Sequence, residues 1–162
     1  MSDYLKAHPL RGAFLANALE EAARLIVDQG DALLSANGLD VPSRAVSTLL
    51  FIGDCKQTTT ADIAKALNHP HQLVAQRIDL LSRAGLLERP QTTTDRRRKP
   101  ISLTRLGVQK VEHLRLLLTC VDRAFDALSE ELGLDLATFP SKLTNALMSR
   151  PLAERGALQA ER

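Results

Sequence analysis

Apolar residues recur at helical spacing along the first part of the chain. Leu15, Ala18, Ala22 and Leu25 lie three or four positions apart, and no proline interrupts the stretch from about residue 9 to residue 34. A period near 3.6 residues is typical of an amphipathic helix. The pattern therefore predicts one long helix that begins at about His8 or Pro9 and continues to Leu34.

A turn separates this helix from a shorter one. Residues 37–42 read Asn-Gly-Leu-Asp-Val-Pro, and proline is favoured in the first turn of a helix because its missing N–H has no partner there. We expect the second helix to open at Pro42 or Ser43 and to end at Gly53. Its predicted inward-facing residues are Val46, Leu49, Leu50 and Phe51.

Two closely spaced helices follow. Thr59 lies three residues before Asp62, which is the spacing of a capping box at a helix start. Residues 68–70, Asn-His-Pro, end that helix, and the next is predicted from about Pro70 to Ala84, with Gly85 as its stop. Its inward stripe is Val74, Ile78 and Leu81, and its free face carries Gln72, Gln76, Asp79 and Arg83. This pattern predicts a helix-turn-helix in which Gln72 and Gln76 meet base edges.

A basic hairpin comes directly after the second of these helices. Its predicted strands cover residues 86–89 and 99–103, and the segment between them is too polar to be buried. The basic run at or near its tip is Arg96, Arg97, Arg98 and Lys99. Such a run is either a solvated surface or a contact to phosphates, and its place after a helix-turn-helix favours phosphates.

The last long helix has an uninterrupted apolar seam. Thr104 is placed to cap it, and Gly133 is placed to stop it after Leu132. The seam, at alternating spacings of three and four, is Val111, Leu114, Leu118, Val121, Phe125, Leu128 and Leu132. A seam of this length is typical of a coiled-coil-like contact, either with the chain's own first helix or with a second copy. A further apolar helix over residues 139–149 favours the second copy, and the tail from residue 150 to 162, with little periodicity, is expected to fray.

We therefore expect a homodimer built from the first and last helices. The residues predicted at its contact are Leu15, Leu114, Leu118, Val121, Phe125 and Leu128.

Composition fits a globular protein with an uneven charge distribution. The 162 residues are 44% hydrophobic and 25% charged. No stretch has the length of a membrane span or the profile of a secretory signal. We therefore expect a cytoplasmic location. The net charge is +2, but residues 56–105 hold ten Lys or Arg against four Asp or Glu, a net +6, and the remainder holds eleven against fifteen, a net −4. Positive charge concentrated over the helix-turn-helix and hairpin favours a nucleic-acid partner.

Catalytic and metal-binding patterns are not found. The four histidines are scattered, no nucleophile elbow or phosphate loop is present, and we expect neither an enzyme nor a cofactor. His69 and His71 flank Pro70 and are expected to contact DNA or to cap the helix; metal binding together with Cys55 is the alternative. Cys55 lies in a polar loop beside a lysine, which leaves redox sensing open, whereas Cys120 in the long helix is expected to be a buried, inert thiol.

Three short runs resemble the winged-helix signature of the MarR family of bacterial transcriptional regulators. They are residues 81–89 (LSRAGLLER), 95–97 (DRR) and 102–107 (SLTRLG). The family's wing carries an aspartate, any residue and then an arginine, which correspond to Asp95 and Arg97. The resemblance implies that Arg97 enters the minor groove and that Asp95 braces the wing.

The resemblance also implies a fold and a mode of action. We expect a mainly α protein with a small β-hairpin wing and about six helices: a winged helix-turn-helix over residues 42–104, dimerisation helices over 1–35 and 105–149, and a tail over 150–162, in a single MarR-like chain. The implied function is a repressor that binds a pseudo-palindromic operator in double-stranded DNA and is released by a small effector. Two rivals stay open: a regulator that senses oxidants through Cys55, and a winged helix that binds a protein instead of DNA.

Overall fold

The computed structural model describes residues 3–55, 57–88 and 100–155. Within those ranges the chain forms eight α-helices, one 3₁₀ turn and two short strands. The helices are α1 (Asp3–Ala7), α2 (Leu15–Ala36), α3 (Ser43–Asp54), α4 (Thr60–Ala66), α5 (His71–Arg83), α6 (Arg105–Leu132), α7 (Phe139–Ser149) and α8 (Leu152–Arg155); the 3₁₀ turn is Arg11–Phe14, and the strands are β1 (Leu87–Glu88) and β2 (Ser102–Leu103). None of the helices in these ranges is both long and apolar enough to cross a membrane.

The chain divides into two compact units, residues 1–114 and residues 115–162. The division falls inside α6 and not at its start. The first three turns of α6 therefore belong to the same unit as α3, α4, α5 and the two strands.

The first unit has one apolar core built from helices α2 to α6 and from residues at or beside the two strands. Its buried apolar side chains are Leu34, Leu39, Val41, Ala45, Leu49, Ile52, Ile63, Val74, Ile78, Leu81, Leu86, Leu87, Ile101, Val111 and Leu114. Strands β1 and β2 pair antiparallel, with Leu87 opposite Leu103, and a single bridge joins Thr58 to Ile101 beside them. The two-stranded pairing and the helix order confirm the predicted mainly α fold with a small hairpin.

The beginning of the long first helix was predicted wrongly. A 3₁₀ turn occupies residues 11–14, α2 starts at Leu15, and a separate short helix lies upstream at residues 3–7. Pro9 and Gly12 explain the break, since proline cannot donate to a helix and glycine costs about 1 kcal/mol in one. The backbone amide of Leu10 instead donates to Nδ1 of His8 at 3.0 Å.

The inward face of α3 also differs from the prediction. Its buried residues are Ala45, Thr48, Leu49 and Ile52, whereas Val46, Leu50 and Phe51 are half-buried. The helix is rotated so that a threonine lies inside, which apolar periodicity alone does not indicate. The helix also continues one residue past Gly53, to Asp54.

In the second unit, hydrogen bonds stabilise both ends of α7: Asp135 and Thr138 form a turn before its start, and Arg155 binds backbone carbonyls at its end. The side chain and amide of Thr138 both donate to the Asp135 carboxylate, and these hydrogen bonds lower the pKa of Asp135. At the other end, Arg155 donates through Nε to the Arg150 carbonyl at 2.7 Å and through Nη2 to the Ala146 carbonyl at 2.6 Å. The expectation of a frayed tail is therefore wrong for residues 152–155, which form α8.

Candidate nucleic-acid interface

The turn between α4 and α5 is built from local signals that the sequence shows. Thr59 and Asp62 form the predicted capping box: Oγ1 of Thr59 accepts from the Asp62 amide at 3.2 Å, and the Asp62 carboxylate accepts from the Thr59 amide at 3.1 Å. Asn68 then adopts a left-handed φ of 50°, which asparagine tolerates better than most residues. The chain can thus reverse within a few residues and start α5 behind Pro70.

Helix α5 has one fully buried stripe and one exposed polar face. Val74, Ile78 and Leu81 are each 0% exposed, so they anchor the helix in the core. The predicted free face is confirmed as exposed, and its residues are Gln72, Gln76, Asp79 and Arg83. His71 is exposed in the first turn, where Pro70 supplies no side-chain cap. The helix therefore presents amide and cationic side chains on a rigid support.

His69 does not share that exposed face. It is half-buried, and its Nδ1 lies 2.9 Å from Nη1 of Arg77, which is two turns along α5 and also half-buried. His69 was expected to contact DNA or to cap the helix, and Arg77 was not predicted as a functional residue. The sequence indicates the pair only through the spacing of eight residues between His69 and Arg77, and this spacing is too common to predict a contact.

The base of the wing is joined tightly to the end of α5. Gly85 has the predicted left-handed φ of 70° and ends the helix. Oγ1 of Thr104 donates to the Gly85 carbonyl at 2.6 Å and accepts from the Gly107 amide at 3.0 Å, while the Thr104 amide donates to the Leu86 carbonyl at 3.0 Å. Thr104 thus caps α6, as predicted, and ties it to the α5–β1 connection. The predicted wing residues Asp95, Arg96, Arg97, Arg98 and Lys99 lie outside the described residues.

The predicted dimer residues have different environments in the single chain. Leu15 is 47% exposed on α2 and Leu128 is 36% exposed on α6, and Leu118, Val121 and Phe125 are half-buried. Leu114 is 1% exposed and belongs to the core of the first unit. Leu114 is therefore removed from the expected dimer contact, because its side chain is already covered.

The two cysteines differ from their predicted settings. Cys55 is the half-buried residue that ends α3, and it lines a shallow cavity of about 280 Å³ together with Gly53, Asp54, Ser102, Leu103 and Val108. Cys120 is exposed, which contradicts the expected burial, because its position on α6 falls outside the apolar seam. Across residues 3–55, 57–88 and 100–155, no cluster of three or more His, Cys, Asp or Glu could hold a metal ion.

Comparisons with known proteins agree with this geometry. The MarR family model matches residues 39–98, a range that contains α3, α4, α5 and β1. A search of curated protein sequences finds no match.

Similar solved structures cover most of the chain. A crystal structure of the S. aureus MepR–DNA complex is 25% identical, covers 83% of this chain and 96% of its own, and has a TM-score of 0.67. S. aureus MepR in a DNA-binding conformation is also 25% identical, with 83% and 97% coverage and a TM-score of 0.58. Wild-type MarR from E. coli, in its apo form, is 19% identical, with 82% and 97% coverage and a TM-score of 0.52, and this likeness concerns the fold alone. The resemblance seen in the three sequence runs is thus confirmed: residues 39–98 match the MarR family model, and the fold is that of MarR-type winged helix-turn-helix structures.

Proposed function

We propose that this chain is a DNA-binding transcriptional regulator that places α5 in the major groove. The observation that carries the proposal is the polarity of α5, in which a fully buried stripe lies opposite the exposed Gln72 and Gln76. The likeness to S. aureus MepR, solved as a complex with DNA, supports the same use of the fold.

The dimensions of α5 suit base reading. A major groove about 12 Å wide admits one α-helix, and glutamine can make two hydrogen bonds to the edge of adenine. Gln72 and Gln76 are four residues apart, so they lie one turn apart on the same side of the helix. Each bidentate contact of this kind discriminates between bases by about 1 to 3 kcal/mol.

The wing supplies the second part of the proposed contact. The resemblance assigns Arg97 to the minor groove and Asp95 to bracing the loop, and Arg96, Arg98 and Lys99 are then placed to meet phosphates. A narrow minor groove concentrates negative potential, so an inserted guanidinium gains affinity without reading a base. Strands β1 and β2 support this proposal, because β1 precedes and β2 follows the segment that carries these residues.

A homodimer would pair two copies of α5 and its wing. Large apolar side chains are exposed on α2 and on the helices of the second unit: Leu15, Leu19, Leu25, Ile26, Leu116, Leu128, Leu132, Leu147 and Met148. Apolar surface on this scale is typical of a protein contact. A second copy that covers it would set two α5 helices about 34 Å apart, one turn of duplex, and would match a pseudo-palindromic operator.

Release by a small effector completes the proposal. The cavity beside Cys55 lies between the end of α3, β2 and the first turns of α6, so an occupant would press on the base of the wing. At about 280 Å³ it falls just below the usual range for ligand sites, which favours a small effector. A molecule that releases DNA from the wild type but not from Ser102→Trp, in which the cavity is filled, would support this placement. Release from both proteins would place the effector elsewhere.

Salt dependence of duplex binding tests the proposed function against its rival. The logarithm of the affinity of a DNA-binding protein falls linearly with the logarithm of salt concentration, because bound phosphates release counterions. We expect a steep fall for the wild type on a mixed-sequence duplex, measured by fluorescence anisotropy. No binding at low salt, with retention of the fold, would favour a winged helix that contacts protein.

A further inference from the structure

We infer that Arg77 contacts a DNA phosphate and that His69 is its positioning residue. This inference rests on the proposed DNA-binding function and adds a site that the exposed face of α5 did not include. Arg77, which lies 2.9 Å from Nδ1 of His69, is assigned to the wall of the major groove and not to its floor.

The charge of Arg77 is held in place but not neutralised. Within the described ranges, the imidazole of His69 is the group that its guanidinium contacts, and no carboxylate pairs with it. A guanidinium has five N–H donors and no acceptor, so Nδ1 of His69 must accept and the ring proton lies on Nε2. One of the five donors is used in this bond, and the others remain for an anionic partner.

The position of Arg77 on the helix indicates what that partner is. Successive residues of an α-helix are rotated by about 100°, so Arg77 lies on the flank beside Gln76, between the exposed face and the buried stripe. When Gln76 points at the floor of the groove, this flank points at its side. The sides of the major groove are lined by the phosphates of the two strands, and phosphates receive most protein–DNA hydrogen bonds.

The contact to His69 gives the guanidinium a defined direction before DNA arrives. A free arginine side chain loses rotamer entropy when it is fixed, and a side chain that is already held loses less. His69 is itself fixed on the α4–α5 turn, where its amide donates to the Ala64 carbonyl at 3.0 Å. His69 would therefore contribute to DNA affinity without touching DNA.

The test measures binding to one mixed-sequence duplex over a salt series for wild type, Arg77→Gln, His69→Ala and His69→Asn. Arg77→Gln keeps a donor for His69 but removes the charge, and we expect roughly tenfold weaker binding and a salt slope lower by about one phosphate contact. Asparagine carries an oxygen at the position of the histidine Nδ1, so His69→Asn should restore most of the affinity that His69→Ala loses. In an Arg77→Gln background, His69→Ala should have little further effect, because the two residues act as one unit.

Arg44→Gln is the matched control, since Arg44 is an exposed cation that lies on α3 and not on the reading helix α5. Equal slopes for Arg77→Gln and Arg44→Gln would overturn the inference, and so would additive losses in the double variant. The helicity and melting temperature of each variant distinguish these outcomes from misfolding. Arg77→Lys keeps the positive charge and should keep the salt slope, so it remains informative if Arg77→Gln does not fold. Failure of the wild type to bind duplex would refute the proposed function itself.

Discussion

Gly107 allows α6 to lie directly against the connection that leaves α5, and its replacement by alanine is the sharpest test of that joint. An added Cβ would lie 2.1 Å from the carbonyl oxygen of Leu86 and 3.1 Å from its carbonyl carbon. Cβ contacts in proteins stay above about 3.0 Å, so helix α6 and the backbone of Leu86 must move apart by about 0.9 Å. A backbone carbonyl cannot rotate away as a flexible side chain could.

The energetic consequence follows from the contacts at this joint. The separation stretches two hydrogen bonds of Thr104, to the carbonyls of Leu86 and Gly85, each of which contributes about 1 kcal/mol. Repacking of an overfilled site costs a further 1 to 3 kcal/mol, roughly, while alanine gains about 1 kcal/mol over glycine in a helix. We expect Gly107→Ala to lower the free energy of unfolding by about 2 to 4 kcal/mol.

Urea denaturation followed by far-UV circular dichroism measures this difference. Gly12→Ala is the matched control, because an added Cβ at Gly12 meets nothing within 4 Å, and its effect should stay within about 0.5 kcal/mol. Equal stability of Gly107→Ala and wild type would refute the close approach of α6 to Leu86.

The remaining predictions concern base reading, assembly and the core. Alanine at Gln72 and Gln76 should remove about 1 to 3 kcal/mol of discrimination per lost base contact with little effect on a mixed-sequence duplex; equal losses on selected and mixed duplexes would contradict base reading. Aspartate at both Leu118 and Phe125 should give a folded monomer in sedimentation, because an unpaired charge in an apolar contact is costly; a monomeric wild type at micromolar concentration would contradict the dimer. Thr48→Val should raise the free energy of unfolding by about 1 kcal/mol in urea, since Oγ1 of Thr48 is buried without a hydrogen-bond partner among the described residues. A loss of stability would mean that this hydroxyl has a partner.

Helices α4 and α5 could be predicted from sequence because their signals are local. The capping pair Thr59 and Asp62, the break before Pro70, the three-four spacing of the α5 stripe and the stop at Gly85 each act within one or two turns. Such signals determine where a helix begins, ends and faces. The structure confirms all four.

The parts that could not be predicted depend on contacts between elements. Which face of α3 is buried follows from how it packs against its neighbours, and this packing places Thr48 inside and leaves Phe51 half-buried. The pairing of His69 with Arg77 depends on the direction of a long side chain, which residue order does not determine. The seam of α6 looked continuous, yet its first residues belong to the core of the first unit, so Leu114 is covered within the single chain.

Selection of bound DNA from a random-sequence duplex library tests the central claim most directly. Wild-type protein is mixed with the library at moderate salt, and the retained duplexes are sequenced after repeated rounds. A dimeric, sequence-specific reader predicts convergence on an inverted repeat whose half-sites are centred about 10 base pairs apart. Retained duplexes that stay random in sequence, or no retention at all, would contradict the account.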